Sequence, residues 1–225
     1  MKQAILQLHN TPLPKEKIKI TGIPFSSNYY PVKIIKDKKV YLLTDKYSYR
    51  IGKVIPLHAI GEDVEILETL SKYNLAPKIY KTDVFTDETG NDMSYVEMER
   101  LDGTVYDLLK TELSQKDLDL ILRLINQLLI MLHKMKLSHG DFHWENIGIV
   151  YDEKKDCIFL KMFDFEFASH KNDFRREVAQ LIRTVDKKYT PLISENNRVY
   201  IKNRLETFYK KNFFDYKDID KEYKK

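Results

Sequence analysis

Cysteine is nearly missing from this chain of 225 residues: Cys157 is the only one. An internal disulfide is therefore excluded, and the composition suits a reducing compartment. Long apolar runs are missing too. None approaches the ~20 residues needed to cross a bilayer, and the stretch MKQAILQLHNTPLPKEK at the N-terminus has no apolar core of the secretory kind. Neither charge sign dominates. The chain carries 38 basic and 34 acidic side chains, a formal net charge of +4, which is not the lopsided footprint of a dedicated nucleic-acid binder. Internal repeats and low-complexity tracts are lacking as well. What remains is an ordinary globular composition, 43% hydrophobic, enough for one large domain or for two small lobes sharing a cleft. The expectation is a soluble, cytoplasmic protein with no membrane span and no nucleic-acid partner.

Along the chain, β-type segments come first and helical ones later. Residues 1–25, with Pro12, Pro14 and Pro24, read as an irregular lead-in holding one short strand, IKITGI. Residues 29–55 are rich in Tyr, Val and Ile, and the polar breaks KDKK and TDKY divide them into strands of an antiparallel sheet. In GEDVEILETLSKYNLAPKIY, Ile60, Val64, Leu67 and Tyr73 fall near helical spacing, with acids early and Pro77 just beyond the end. Strands near 80–86 and 93–98 then bracket the turn TDETGND.

From residue 104 the pattern becomes helical. In SQKDLDLILRLINQLLIMLHKMK, Ser114 and Asp117 have capping-box spacing. Leu118, Ile121, Leu122, Ile125, Leu128, Leu129, Leu132 and Met135 mark one wide apolar face. DFRREVAQLIRTV repeats that pattern, and a last helix is expected near 195–212. The chain thus reads as α+β, with a β-rich lobe over 1–98, a linker ERLDG over 99–103 and a helical lobe over 104–225.

One segment concentrates chemistry. The long helix must leave its last carbonyls beside the loop HGDFHWEN. After that loop, IGIVY and IFLKM read as two strands across the turn DEKKDC. A hairpin returns the chain to its start, so Asp164, just past the second strand, should lie near Asp141 and Asn146. Two carboxylates and a carboxamide form an all-oxygen set suited to Mg²⁺, with phosphates completing the shell. Isolated loop aspartates are commonly turn formers; it is the ordered set that carries weight.

HGDFHWEN has the spacing H-x-D-x-x-x-x-N, and DFE stands where D-F-G would. Together they resemble the catalytic loop and metal motif of the protein kinase-like superfamily. Gly140 in the arginine position resembles the aminoglycoside phosphotransferases, choline kinases and other compact atypical members, including small viral and lipopolysaccharide-kinase-like kinases. YVEMERLDGTVYDLL resembles the hinge between lobes, and ETLSKYNLAPKIY resembles the segment after the small-lobe helix; about residues 40–185 are covered in the family's order.

The resemblance implies a two-lobed fold with a small β-rich N-lobe and a reduced helical C-lobe. It also implies ATP and Mg²⁺ as cofactors, and transfer of phosphate to a hydroxyl acceptor on a protein or a small molecule. Asp141 would be the base or orienting group for the acceptor, His139 would support the loop, and Asn146 and Asp164 would hold Mg²⁺. Met98 takes the gatekeeper position, with Glu99 and Leu101 offering backbone groups to adenine. In NDFRREV, Asp173 is the candidate acid capping the loop's backbone.

Other positions stay open. The phosphate-binding base of the small lobe is Lys53 in RIGK or Arg50 in YSYRIG. Alternation sends them to opposite faces of a strand, so at most one enters the cleft. Its acid partner is Glu62, Asp63 or Glu65. No glycine-rich phosphate loop occurs, and TGIPFSSNYYPVKI is the nearest substitute. Glu166 is either a further metal ligand or a solvent-facing side chain. His143 and Trp144 suit substrate contact, and Trp144 suits core packing equally. His133, His139 and His143 lack the spacing of a zinc site.

Asn172 follows Asp164 by only eight positions and no A-P-E occurs, so the long peptide-binding segment of a protein kinase is missing and control by its phosphorylation is not expected. The leading reading is an ATP- and Mg²⁺-dependent phosphotransferase, an atypical Ser/Thr protein kinase-like enzyme or a small-molecule hydroxyl kinase. The alternative is an inactive pseudokinase serving as a binding module, and a nucleic-acid-associated role through the lysines comes third.

Overall fold

The computed structural model describes residues 29–35, 38–43, 50–56, 63–86, 89–171, 173–186, 188 and 190–212, with side chains described from 64 to 209 within those ranges. The expected strand IKITGI, the Ser-Ser pair of TGIPFSS and Glu62 lie outside the described residues. So do the side chains of Arg50, Lys53 and Asp63. The described residues divide into two compact units, one up to Leu101 and one from Asp102 onward.

The first unit is a five-stranded antiparallel sheet with one helix. Its strands are β1 (Tyr29–Ile35), β2 (Lys38–Leu43), β3 (Arg50–Pro56), β4 (Ile79–Thr86) and β5 (Asp92–Glu99), in the spatial order β1-β2-β3-β5-β4. β5 lies between β3 and β4, and residues 93–98 are buried without alternation, as a strand covered on both faces must be. Helix α1 (Asp63–Lys72) buries Ile66, Leu67 and Leu70. It ends in a Schellman turn: Leu75 N–H donates to Leu70 O (3.0 Å) and Asn74 N–H to Ser71 O (3.0 Å), with Asn74 left-handed at φ 59°.

The second unit contains β6 (Gly103–Thr104), α2 (Val105–Leu109), α3 (Gln115–Lys134), β7 (Ile147–Asp152), β8 (Cys157–Met162), α4 (Phe174–Thr184) and α5 (Glu195–Asn212). Strands β6, β7 and β8 form a small antiparallel sheet. Of the stretch read as a linker, Gly103 already pairs with Ile149, and Asp102 N–H donates to Ile149 O (2.8 Å). Helix α3 begins at the expected capping box, with Ser114 and Asp117 bonded reciprocally, and buries seven Leu and Ile side chains from Leu118 to Leu132. At roughly 2 kcal/mol each, they make α3 the main anchor of this unit, packed on β8, α4 and α5. Buried Arg198 fastens the chain ahead of α5: its guanidinium donates to the carbonyls of Val185 (2.6 Å), Ile193 (2.6 Å) and Thr190. No described helix is long and apolar enough to cross a membrane.

Candidate active site

Helix α3 stops in a second Schellman turn. Leu137 N–H donates to Leu132 O and Lys136 N–H to His133 O, both at 3.0 Å, with Lys136 left-handed at φ 56°. This reversal sends residues 138–146 back across the unit. Ser138 and Ser169 exchange both backbone hydrogen bonds (2.9 and 3.0 Å), so the chain after β8 lies along the loop. Between them, Gly140 sits at φ +79°, and a Cβ there would stand 2.0 Å from Phe167 O. Only glycine fits, for conformation and for space together. That is the physical reason this loop reads HGD.

Asp141 is held from three sides. Gln180 on α4 donates its Nε2–H to Asp141 Oδ1. Asp141 Oδ2 accepts from His143 Nε2–H (3.3 Å) and from Asn146 Nδ2–H (3.3 Å). The hydrogen bond from His143, helped by that from Gln180, holds the carboxyl below the usual aspartate range despite partial burial. His143 Nδ1 accepts from Glu145 N–H (3.3 Å), which fixes the tautomer that leaves Nε2–H for Asp141.

Asn146 closes the short 3₁₀ turn Trp144–Asn146 and is buried. Its Nδ2 donates to Asp141 O (3.0 Å) as well as to Oδ2. Both partners are acceptors, so the amide orientation is determined and the carboxamide oxygen is left as a neutral hard donor. The Asn146 carbonyl accepts from Phe163 N–H (3.2 Å), continuing the β7–β8 register in which Ile147 faces Met162. The residue before Asp164 is thereby bonded to the last residue of the 3₁₀ turn. Asp164 is half-buried with φ +65°.

His139 is fully buried and joins the two parts. Its Nε2–H donates to Phe163 O (2.9 Å), its Nδ1 accepts from Asp141 N–H (3.4 Å), and its ring packs on Phe165 at 4.7 Å between centroids. Burial pushes its pKa down to about 4, against the opposing pull of the Phe163 carbonyl and the charges of Asp141 and Asp164. His139 therefore supports the loop as a neutral ring.

The acid beneath the loop is Glu177, not Asp173. Asp173 caps its own helix, Oδ1 accepting from Arg176 N–H (3.1 Å), because it stands at the exposed end of α4. One turn on, the inward-facing Glu177 accepts from Ser138 Oγ–H (2.7 Å) and Gly140 N–H (2.9 Å) through Oε1. Its Oε2 is buried without a partner, and burial raises its carboxyl above the ordinary range. Trp144 is buried and donates its indole N–H to Leu181 O (3.1 Å), so it packs into the helical unit.

Sequence reasoning missed Glu177 and Gln180. The available signal was a polar residue interrupting the apolar stripe of Phe174, Val178 and Leu181, where an unpaired carboxylate would be costly.

The remaining candidates lie in the first unit. Arg50 pairs with Glu99 and Lys53 with Val96 across β3 and β5 at the backbone. Glu65 is exposed and Leu101 half-buried. Met98 is buried. The Glu99 N–H donates to Lys78 O (2.8 Å). Glu166 is exposed. Among the described residues no group of three or more His, Cys, Asp or Glu side chains could hold a metal. A divalent ion here would take Asp164 and the Asn146 oxygen as protein ligands and the rest of its shell from phosphate and water, a set that fits Mg²⁺.

By its elements the chain is an α+β protein. No protein-family model matches it, and no curated protein matches it. Among solved structures it is similar to the Cydia pomonella granulovirus kinase PK-1, with 22% identity and a TM-score of 0.46 over 63% of this chain and 52% of that one. The chain therefore spans about half the length of that kinase.

Proposed function

We propose that this protein is an ATP- and Mg²⁺-dependent phosphotransferase of the protein kinase-like type, acting on a hydroxyl acceptor. The observation that carries the reading is the bonded pair of Asp141 and Asn146, tied through the Asn146 carbonyl and His139 to the residue preceding Asp164. Asn146 and Asp164 would hold Mg²⁺, which when bound neutralises charge on the phosphates. A carboxylate has about four lone-pair sites. Three on Asp141 are occupied, two at Oδ2 and one at Oδ1. The open site on Oδ1 accepts the acceptor's O–H and aligns its oxygen with the γ-phosphorus. As the new P–O bond forms and the bond to the leaving diphosphate breaks, the hydroxyl proton passes to Asp141. His139 and Glu177 take no proton in this scheme; they hold the loop.

The nucleotide end of the reading rests on Met98, Glu99 and Leu101 for adenine and on Lys53 or Arg50, with Asp63 or Glu65, for the phosphates. The segment after Asp164 is committed to the fold through Ser169 and Phe167, which favours a small molecule or an unconventional protein site over an extended peptide.

Thermal unfolding with and without ATP·Mg²⁺, followed by γ-phosphate transfer to a panel of protein and small-molecule hydroxyls, tests the proposal. At a hundredfold excess over Kd, ligand adds about 2.7 kcal/mol, or roughly 5–10 °C for a chain of this size. Asp164→Asn should abolish the Mg²⁺-dependent part, and Asp141→Asn should abolish transfer while leaving the shift. No shift with any nucleotide would favour the inactive binding module instead.

A further inference from the structure

We propose that Gln180 is a positioning residue for phosphoryl transfer, fixing which lone pair of Asp141 meets the acceptor hydroxyl. This rests on the phosphotransferase reading above. Among the described residues, Gln180 is the only protein donor on Oδ1, the oxygen with an open site. Its carboxamide bridges two neighbours: Oε1 accepts from Phe142 N–H (3.1 Å), and Nε2–H donates to Asp141. A backbone N–H can only donate and a carboxylate can only accept, so the amide has one permitted orientation. The bridge thereby ties the direction of the carboxylate to the backbone beside it.

The helix makes this bridge stiff. Glu177, Gln180 and Leu181 on α4 touch the loop in succession, at Ser138 and Gly140, at Asp141 and Phe142, and at Trp144. Without the Nε2–H donor, the carboxylate keeps both bonds at Oδ2 but loses its hold at Oδ1. It then turns about χ2, and the open lone pair no longer points in one direction. Displacements of about an ångström at reacting groups cost on the order of a hundredfold in rate.

A purely structural clamp on Phe142 would need only the acceptor half of the carboxamide, and two substitutions separate the roles. Gln180→Met removes both halves. Gln180→Glu keeps an acceptor for Phe142 N–H and, at pH 8, has no proton to give Asp141.

The experiment uses the full chain, with ATP·Mg²⁺ and either an acceptor found in the panel or water, the latter read as ATP hydrolysis. Expected is a fall in kcat of about tenfold to a hundredfold in both variants, with KM for ATP within about twofold of wild type. Independently of turnover, the Gln180 side-chain amide resonances in a ¹⁵N spectrum should sit apart from those of free amides and move toward them in Asp141→Ala. Wild-type kcat in Gln180→Glu overturns the inference, and so does an amide signal indifferent to Asp141. Wild-type protein that neither binds ATP·Mg²⁺ nor transfers phosphate removes the functional reading before any variant is compared, and this inference with it.

Discussion

Replacing Gly140 by alanine puts a number on the closeness of the loop 138–146 and the chain after Asp164. Two costs add. A left-handed residue with a Cβ loses about 1–2 kcal/mol relative to glycine. The added carbon would stand 2.0 Å from Phe167 O, 2.6 Å from its carbonyl carbon and 2.8 Å from its Cβ. Two of those atoms are backbone, so no rotamer change relieves the clash and the segment must move. The nearest bonds to break are the two between Ser138 and Ser169, at about 1 kcal/mol each. The total is about 3–4 kcal/mol, on the order of 10 °C in Tm.

Gly90 supplies the control. It has φ +85° and no atom within 4 Å of its ideal Cβ, so Gly90→Ala should cost only the conformational part, a few degrees. Urea unfolding of wild type and both variants, at unchanged slope, measures the difference. Equal losses for the two substitutions would refute the close approach at Phe167.

Two further predictions concern pH. In the unfolded chain His139 takes a proton near its ordinary value of 6.5, whereas the folded ring resists until about 4. The unfolded state therefore binds more protons in that window, and stability present above pH 6.5 is lost as pH falls, by roughly 3 kcal/mol in all. Urea midpoints between pH 7 and 4.5 should fall more steeply for wild type than for His139→Phe, and parallel curves would contradict the burial. Glu177 has the opposite sign. Its folded carboxyl lies above the ordinary 4.5, so its contribution is full below that value and declines as pH rises. Glu177→Gln keeps the acceptor for Ser138 and Gly140, and it should gain on wild type between pH 4 and 8. A wild type that gains instead would show that Glu177 is not destabilised as an anion.

Local signals carried the elements and the backbone of the loop. The α3 stripe and its capping box, the turn DEKKDC between two short apolar runs, and the spacing of Asp141 to Asn146 are all short-range patterns, and each leads to the observed backbone. What sequence could not supply was long-range pairing. Glu177 and Gln180 meet the loop across separations of 37–39 residues, and although the apolar stripe marks Glu177 as inward-facing, nothing local says which distant segment either side chain meets. Asp173 misled because a helix N-cap and a loop-bracing acid look alike when only nearness in sequence is known. The left-handed Lys136 was illegible for another reason: lysine is no turn signal, and the cap exists because Leu137 must return to the core. β6, two residues long, has too little pattern to be read at all.

Every group proposed for chemistry in the second unit lies before residue 165, yet two of the side chains that brace their loop, Glu177 and Gln180, lie beyond residue 176. On the ribosome, the polypeptide bearing Asp141, Asn146 and Asp164 emerges well before the helix that disciplines it. The bracing of the loop is therefore a late event in synthesis, and a product halted ahead of α4 would carry the whole motif without the hydrogen bonds that Glu177 and Gln180 make to it.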